Sequence, residues 1–248
     1  MSLPRYHLPD QAVTWLTAAN PLRVLTLGGA TLPRVLHRAG HDVFAVDRSP
    51  QVVAALADVD GITAVVAQAE SLPFQPCQFD VVLSHQDFHR FAPGLVLSEM
   101  ARVLRPGGRA GVSYLVRDDS VPWVRRLTAL VQKIDPAAMA GNYGADSVTH
   151  LASSKYFGGL ERTQHRHWVP ITRTQLLGMV EALPAIQGLA EPDRNKVLDD
   201  VARLHDDAAP GADALRLPYL LQCHRAWVDH DELTAPIEID DDGLVIPL

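Results

Sequence analysis

Between Arg23 and Val116, short apolar runs alternate with helical patterns in a regular order. Arg23 to Leu27 (RVLTL) ends at Gly28-Gly29, and Leu32, Val35, Leu36 and Ala39 then fall at helical spacing, which reads as strand, tight turn, helix. Asp42 to Val46 (DVFAV) predicts a second strand closed by Asp47, with Ser49 as the N-cap of the next helix and Pro50 in its first position. Ile62 to Val66 predicts a third strand. Phe79 to Leu83 (FDVVL) has the β-branched apolar character of a strand covered on both faces. Val96, Leu97, Met100, Val103 and Leu104 then mark one face of a helix that Pro106-Gly107-Gly108 must stop, and Arg109 to Val116 predicts a fifth strand. Strands alternating with helices in this way predict an α/β fold built on a parallel sheet.

The alternation breaks near Arg117. Ser120-Val121-Pro122-Trp123 opens a helix reaching about Ile134, and the glycine-rich stretch Ala140 to Gly144 follows, so residues 117–160 read as a helical insertion after the fifth strand. Arg162 to Val169 and Arg216 to Val228 predict two late strands, with helices near Thr174 to Ala182 and Asp193 to Leu204, a pattern that suits the antiparallel edge of a mixed sheet. Residues 1–228 are expected to form a single domain, followed by an acidic tail at 229–248 of irregular character. That tail holds seven acids (Asp229, Asp231, Glu232, Glu238, Asp240, Asp241 and Asp242) and no Lys or Arg, so the net charge of -7 belongs to it and the preceding body is balanced. A balanced body argues against a phosphate-backbone binder, and no nucleic acid partner is expected. There is no apolar run of about eighteen residues and no leader pattern at Met1 to Asp10, so no membrane association and a cytoplasmic location are expected. Cys77 and Cys223 stand far apart without a paired spacing, which indicates neither a disulfide framework nor a cysteine zinc site; both read as buried or half-buried thiols.

Several short motifs follow one another in a meaningful order: Val24-Leu25-Thr26-Leu27-Gly28-Gly29, Gly40 to Asp47, Gln68-Ala69-Glu70-Ser71-Leu72-Pro73-Phe74, Phe79-Asp80-Val81-Val82, and Ala101-Arg102-Val103-Leu104-Arg105-Pro106-Gly107-Gly108. As an ensemble over Val24 to Val116 this resembles the class I S-adenosylmethionine-dependent methyltransferases of the small-molecule kind, methyltransferase type 11-like. The resemblance implies a Rossmann-like, doubly wound, seven-stranded mixed sheet with the last strand antiparallel, and S-adenosylmethionine lying across the carboxyl ends of the strands. It also implies a cofactor site of Gly28, Gly29, Ala30, Asp47, Arg48, Gln68, Ala69, Glu70 and Ser84. A carboxylate at the end of the second strand can accept both ribose hydroxyls, the role implied for Asp47. An acid is common in the family at the place of Gln68, whose side-chain carbonyl can still accept a bond from an adenine amino group.

The glycine turn departs from the family pattern. Thr26 stands where the family has an acid, Gly28-Gly29-Ala30-Thr31-Leu32 stands for a G-x-G-x-G run, and the stretch to the helix is about two residues short. Bare backbone is what lets a cofactor approach such a turn closely. Three consequences stay open: weaker cofactor binding, a site repaired with other groups, or the fold kept without the reaction, as a binding or interaction module acting through a homodimer surface or the acidic tail. A dinucleotide-dependent oxidoreductase shares the first turn and Asp47 but fits Gln68 to Phe74 poorly.

On the substrate side, methyl transfer requires alignment of an electron-rich acceptor and needs a base only where the acceptor must lose a proton. His85 and His89, just past the fourth strand, are the candidate catalytic residues, provided that their pKa values lie near neutral. Trp123, Tyr143, Tyr156, Phe157 and Trp168 fall in or near the insertion, where aromatics can cover a pocket, and Arg125, Arg126 and Lys155 suit a carboxylate substrate as well as they suit solvent. His165 and His167 share one face of a strand, with His150 and His224 elsewhere; a metal site would need a third converging ligand and none is expected.

Overall fold

The structure is a computed structural model and describes residues 8–136, 138, 144–208, 210–211, 213–234, 239–240 and 243–244. Tyr143, the stretch 140–143 and the tail acids Glu238, Asp241 and Asp242 lie outside the described residues. Helix α1 (Asp10–Thr17) precedes β1 (Arg23–Leu27), α2 (Thr31–Arg38), β2 (Asp42–Asp47), α3 (Pro50–Ala57), β3 (Ile62–Val66), β4 (Phe79–His85), α4 (Pro93–Val103) and β5 (Leu104–Arg117). Then come α5 (Pro122–Gln132), α6 (Ala145–Ala152), β6 (Phe157–Thr172), α7 (Arg173–Glu181), α8 (Pro184–Gln187), α9 (Glu191–Ala208) and β7 (Ala214–Val228). The strands form one seven-stranded mixed sheet in the order β3-β2-β1-β4-β5-β7-β6, with β7 antiparallel, as expected of a Rossmann-like fold.

The chain divides into two compact units. One comprises the described residues within 11–113, 144–162 and 223–244 and contains the parallel strands β1 to β4. Its sheet interior is made of residues that the sequence marks as strand, among them Val24, Leu25, Leu27, Val43, Val46, Phe79, Val81 and Val82, all buried. At one edge of that core, Phe44, Phe74 and Phe79 meet edge to face, with ring centroids 5.0 to 5.9 Å apart. The other unit comprises the described residues within 8–10, 114–138 and 163–222. Its core joins Val124, Leu127 and Val131 of α5 to Leu176, Val180, Val201, Leu215 and Leu217. Within it, Thr172 and Gln175 form a reciprocal capping box that starts α7.

Helix α1 is absent from the sequence reading, although Ala12, Val13 and Leu16 form a short buried stripe. Ser49 does precede α3, with Pro50 in the first turn, but it makes no side-chain cap; the Asp47 carboxylate instead accepts the Ser49 N–H at 2.7 Å. Cys77, expected to be at least half-buried, is exposed at a positive φ of 56°, because it sits in the turn leading into β4. Cys223 is buried, and burial pushes its thiol up to about 12, so it stays protonated and unreactive. Among the described residues no helix is long and apolar enough to cross a membrane.

The order of the motifs has a mechanical basis in this unit. Asp80 of the FDVV run accepts the Arg23 N–H at 2.7 Å and pairs with Arg105, so one carboxylate holds the entry of β1 to the start of β5. Arg102 donates to the carbonyls of Phe74 (2.8 Å) and Leu72 (3.0 Å), and its partner Glu99 accepts the Leu72 N–H at 2.6 Å. This bracket fixes the Gln68 to Phe74 loop, which has no ladder of its own beyond a single Gln68–Ser71 bridge.

Candidate functional site

A cavity of 640 Å³ opens at the carboxyl ends of β1 to β4, lined by Gly28, Gly29, Asp47, Arg48, Gln68, Ala69 and Glu70 together with Ser49, Asp87, Arg90, Phe91 and Leu95. A parallel sheet favours this location, because turns from adjacent strands converge there and leave backbone groups free.

The glycine turn is held from two directions. Gly28 (φ +82°) and Gly29 (φ +69°) are both left-handed, the conformation that glycine adopts without strain. The Gly28 N–H donates to the Val46 carbonyl at 2.9 Å, and the Gly29 N–H donates to Asp47 Oδ2 at 2.8 Å. Since Asp47 Oδ1 takes the Ser49 N–H, one half-exposed carboxylate pins both the β1 and the β2 turns. Each of its oxygens keeps a further lone pair to offer a ligand hydroxyl.

Thr26 is buried, and its hydroxyl donates to the Phe44 carbonyl at 3.2 Å, so it serves the sheet and sends no polar group into the cavity. A carboxylate nevertheless lies against the glycines. A Cβ added to Gly28 would come within 2.8 Å of Asp87 Cβ and Oδ2, and one added to Gly29 within 3.3 Å of the same oxygen. Asp87 is brought there by Gln86, whose φ of 67° turns the chain sharply off β4, with its N–H donating to the Ser113 carbonyl at 2.9 Å. The short 3-10 turn of Phe88–Arg90 follows, secured by buried Phe88 and its edge-to-face contact with Phe91. Asp87 and Arg90 form an ion pair at 2.9 Å across that turn. Neither was singled out in the sequence; an acid beside a loop histidine carries no signal until strand order places it over the β1 glycines.

Of the other expected site residues, Ala30 precedes α2 as its N-cap but does not line the cavity. Ser84 is buried and donates its hydroxyl to the Leu27 carbonyl at 3.0 Å, stitching β4 to β1. Glu70 lines the cavity while accepting the Ala92 N–H at 2.9 Å.

His85 and His89 are not among the lining residues. His85 Nδ1 lies 2.9 Å from Ser113 Oγ, and burial pushes its pKa down to about 4, far from the near-neutral value that a general base requires. His89 is exposed; its pKa is lowered by desolvation, with Asp87 raising it and Arg90 lowering it. For His85 the linkage is directional. The unfolded chain takes up a proton near the ordinary value of 6.5 and the folded chain only near 4, so this group's contribution to stability is fully present above the higher value and is lost as pH falls between the two. Urea midpoints are expected to fall over that interval in the native protein and to fall less in His85→Gln, and an imidazole titration by NMR with a midpoint above about 6 would reject the assignment.

His165 and His167 are half-buried on β6, and among the described residues no three potential ligands cluster as a metal site.

Comparison with known proteins agrees with this geometry. Residues 25–112 match the family profile described as a methyltransferase domain. Over 223 residues the chain is 33% identical to the uncharacterized methyltransferase Rv3342 of Mycobacterium tuberculosis (strain ATCC 25618 / H37Rv), covering 88% of each protein. It is 26% identical over 190 residues to the uncharacterized methyltransferase-like C25B8.10 of Schizosaccharomyces pombe, covering 73% of this chain and 72% of the relative. Among solved structures, a protein of Anaeromyxobacter dehalogenans provisionally assigned as a type II methyltransferase superposes with a TM-score of 0.65 at 20% identity, over 91% of this chain and 97% of that one. At that identity the likeness speaks for the fold. Sheet order, motif order and sequence relatedness agree, and the chain belongs to the methyltransferase family.

Proposed function

We propose that the cavity at the ends of β1 to β4 binds S-adenosylmethionine and that the protein transfers its methyl group to a small-molecule acceptor. The observation that carries this reading is the convergence in one 640 Å³ cavity of bare glycine backbone, a clamped carboxylate and the Gln68–Ala69 wall. That volume falls in the range that encloses a cofactor-sized ligand. Asp47 would take the ribose hydroxyls, Gln68 the adenine edge, and Gly28-Gly29 would admit the ligand's thioether region against bare backbone. When bound, the cofactor supplies an electrophilic methyl group on a sulfonium. The chain's own task is to orient the acceptor and exclude water.

The reading of a small acceptor is supported by Phe91 and Leu95, which give one wall an apolar surface, Leu95 being 59% exposed. Helix α6 of the insertion packs beside the 3-10 turn and α4, next to that wall. With His85 neutral and hydrogen-bonded, the protein suits acceptors that give up their proton readily or have none to lose.

Radiolabelled S-adenosylmethionine incubated with the protein and a desalted metabolite extract is expected to yield label in a product that passes a small-pore filter. Label confined to protein or nucleic acid would reject the small-molecule reading, and absence of S-adenosylhomocysteine binding up to about 1 mM would reject the cofactor reading itself.

A further inference from the structure

We infer that the Asp87–Arg90 ion pair is the receptor for the zwitterionic amino-acid end of the cofactor, Asp87 taking its ammonium and Arg90 its carboxylate. The inference rests on the cofactor reading above and adds to it the residues that complete the site.

Strand order supplies the argument. The cavity's lining runs across four adjacent strand ends: Gln68 and Ala69 after β3, Asp47 at β2, Gly28 and Gly29 after β1, Asp87 and Arg90 after β4. Parallel strands lie about 4.8 Å apart, so this row spans about 14 Å, the reach of an extended nucleoside thioether carrying an amino acid. With the adenine edge at Gln68 and the ribose at Asp47, the chain of the ligand passes over the β1 glycines and its far end arrives at β4. That end carries one positive and one negative charge.

The residues at β4 match it. Of the three carboxylates lining the cavity, Asp47 accepts the N–H groups of Gly29 and Ser49, and Glu70 accepts that of Ala92. Asp87 is the one that is paired with a cation among the described residues, at 2.9 Å. Its second oxygen rests against the Gly28 backbone. The Asp87 side chain is 20% exposed and that of Arg90 53%, so the pair is fixed at its acidic end and open at its basic end. An ion pair already formed between two residues of one turn offers both charges in a fixed spacing, and a zwitterion can join it as a second, antiparallel pair without leaving either partner uncompensated. Thr26 brings no charge to this end of the cavity, which leaves the ammonium to Asp87.

The test is calorimetric titration of the full chain with three ligands: S-adenosylhomocysteine, its decarboxylated analogue 5'-(3-aminopropyl)thioadenosine, which keeps the ammonium, and 5'-methylthioadenosine, which has neither charge. Asp87→Asn is expected to weaken the first two by about tenfold, and Arg90→Gln the first alone, while both variants hold 5'-methylthioadenosine within about twofold of the native protein, which also shows that they are folded. Variants that bind S-adenosylhomocysteine as tightly as the native protein, or more tightly, overturn the inference, as does an equal loss for all three ligands. A native protein that binds none of the three overturns the cofactor reading and this inference with it, whereas native binding of all three with indifferent variants overturns the inference alone.

Discussion

Asp47→Ala is expected to weaken S-adenosylhomocysteine binding by about 100-fold, close to 3 kcal/mol, because the substitution acts twice. It removes the carboxylate proposed to accept the ribose hydroxyls, and it frees the Gly29 and Ser49 N–H groups that the carboxylate now ties at 2.8 and 2.7 Å. The turn against which the ligand must pack is then ordered at the expense of binding. Asp47→Asn separates the two contributions: its one carbonyl oxygen can hold one N–H, so a loss nearer tenfold is expected. Calorimetry on variants whose melting is cooperative measures both, and native affinity in a folded Asp47→Ala protein would remove Asp47 from the site.

The largest effect on stability is expected at Gly28. Gly28→Ala must hold a φ of +82°, at a strain of about 1 to 3 kcal/mol, and place a Cβ 2.8 Å from Asp87 Cβ. A total of about 2 to 4 kcal/mol follows, a fall in melting temperature of about 5 to 15 °C for a chain of this size. Combining it with Asp87→Gly removes the contact and leaves the strain, so about half of the loss is expected to return. No recovery in the double variant would mean that the backbone conformation alone demands glycine there.

The strand-turn-helix order from Arg23 to Val116 was legible because its strands read as short apolar runs, with β1 and β4 buried along most of their length. Asp47 and Gly28-Gly29 were legible because their chemistry is local: a carboxylate at a strand end, bare backbone at a turn. Asp87 and Arg90 were not, since what places them is the pairing of β1 with β4, together with a left-handed Gln86 that no residue preference announces. Ser84 and His85 stand outside the cavity lining for the converse reason. They sit in the right segment, but the last residues of β4 turn their polar atoms toward Leu27 and Ser113. The late strand β6 proved longer than its apolar core suggests, because exposed residues such as Gly158 to Glu161 extend it, while β7 gains only Ala214 and Leu215.

The Arg102 bracket has a consequence for how the protein breathes. One guanidinium holds the Leu72 and Phe74 carbonyls in place of a neighbouring strand, so the Gln68 to Phe74 loop has no series of small steps by which to loosen. With the Glu99 and Glu70 carboxylates bonded to the Leu72 and Ala92 N–H groups as well, the segment is expected to open as a cooperative unit when these ties are released together. The Gln68–Ala69 wall of the cavity is thereby tied to the end of α4, and substitutions around Arg102, which does not line the cavity, are expected to change how often that wall is in place.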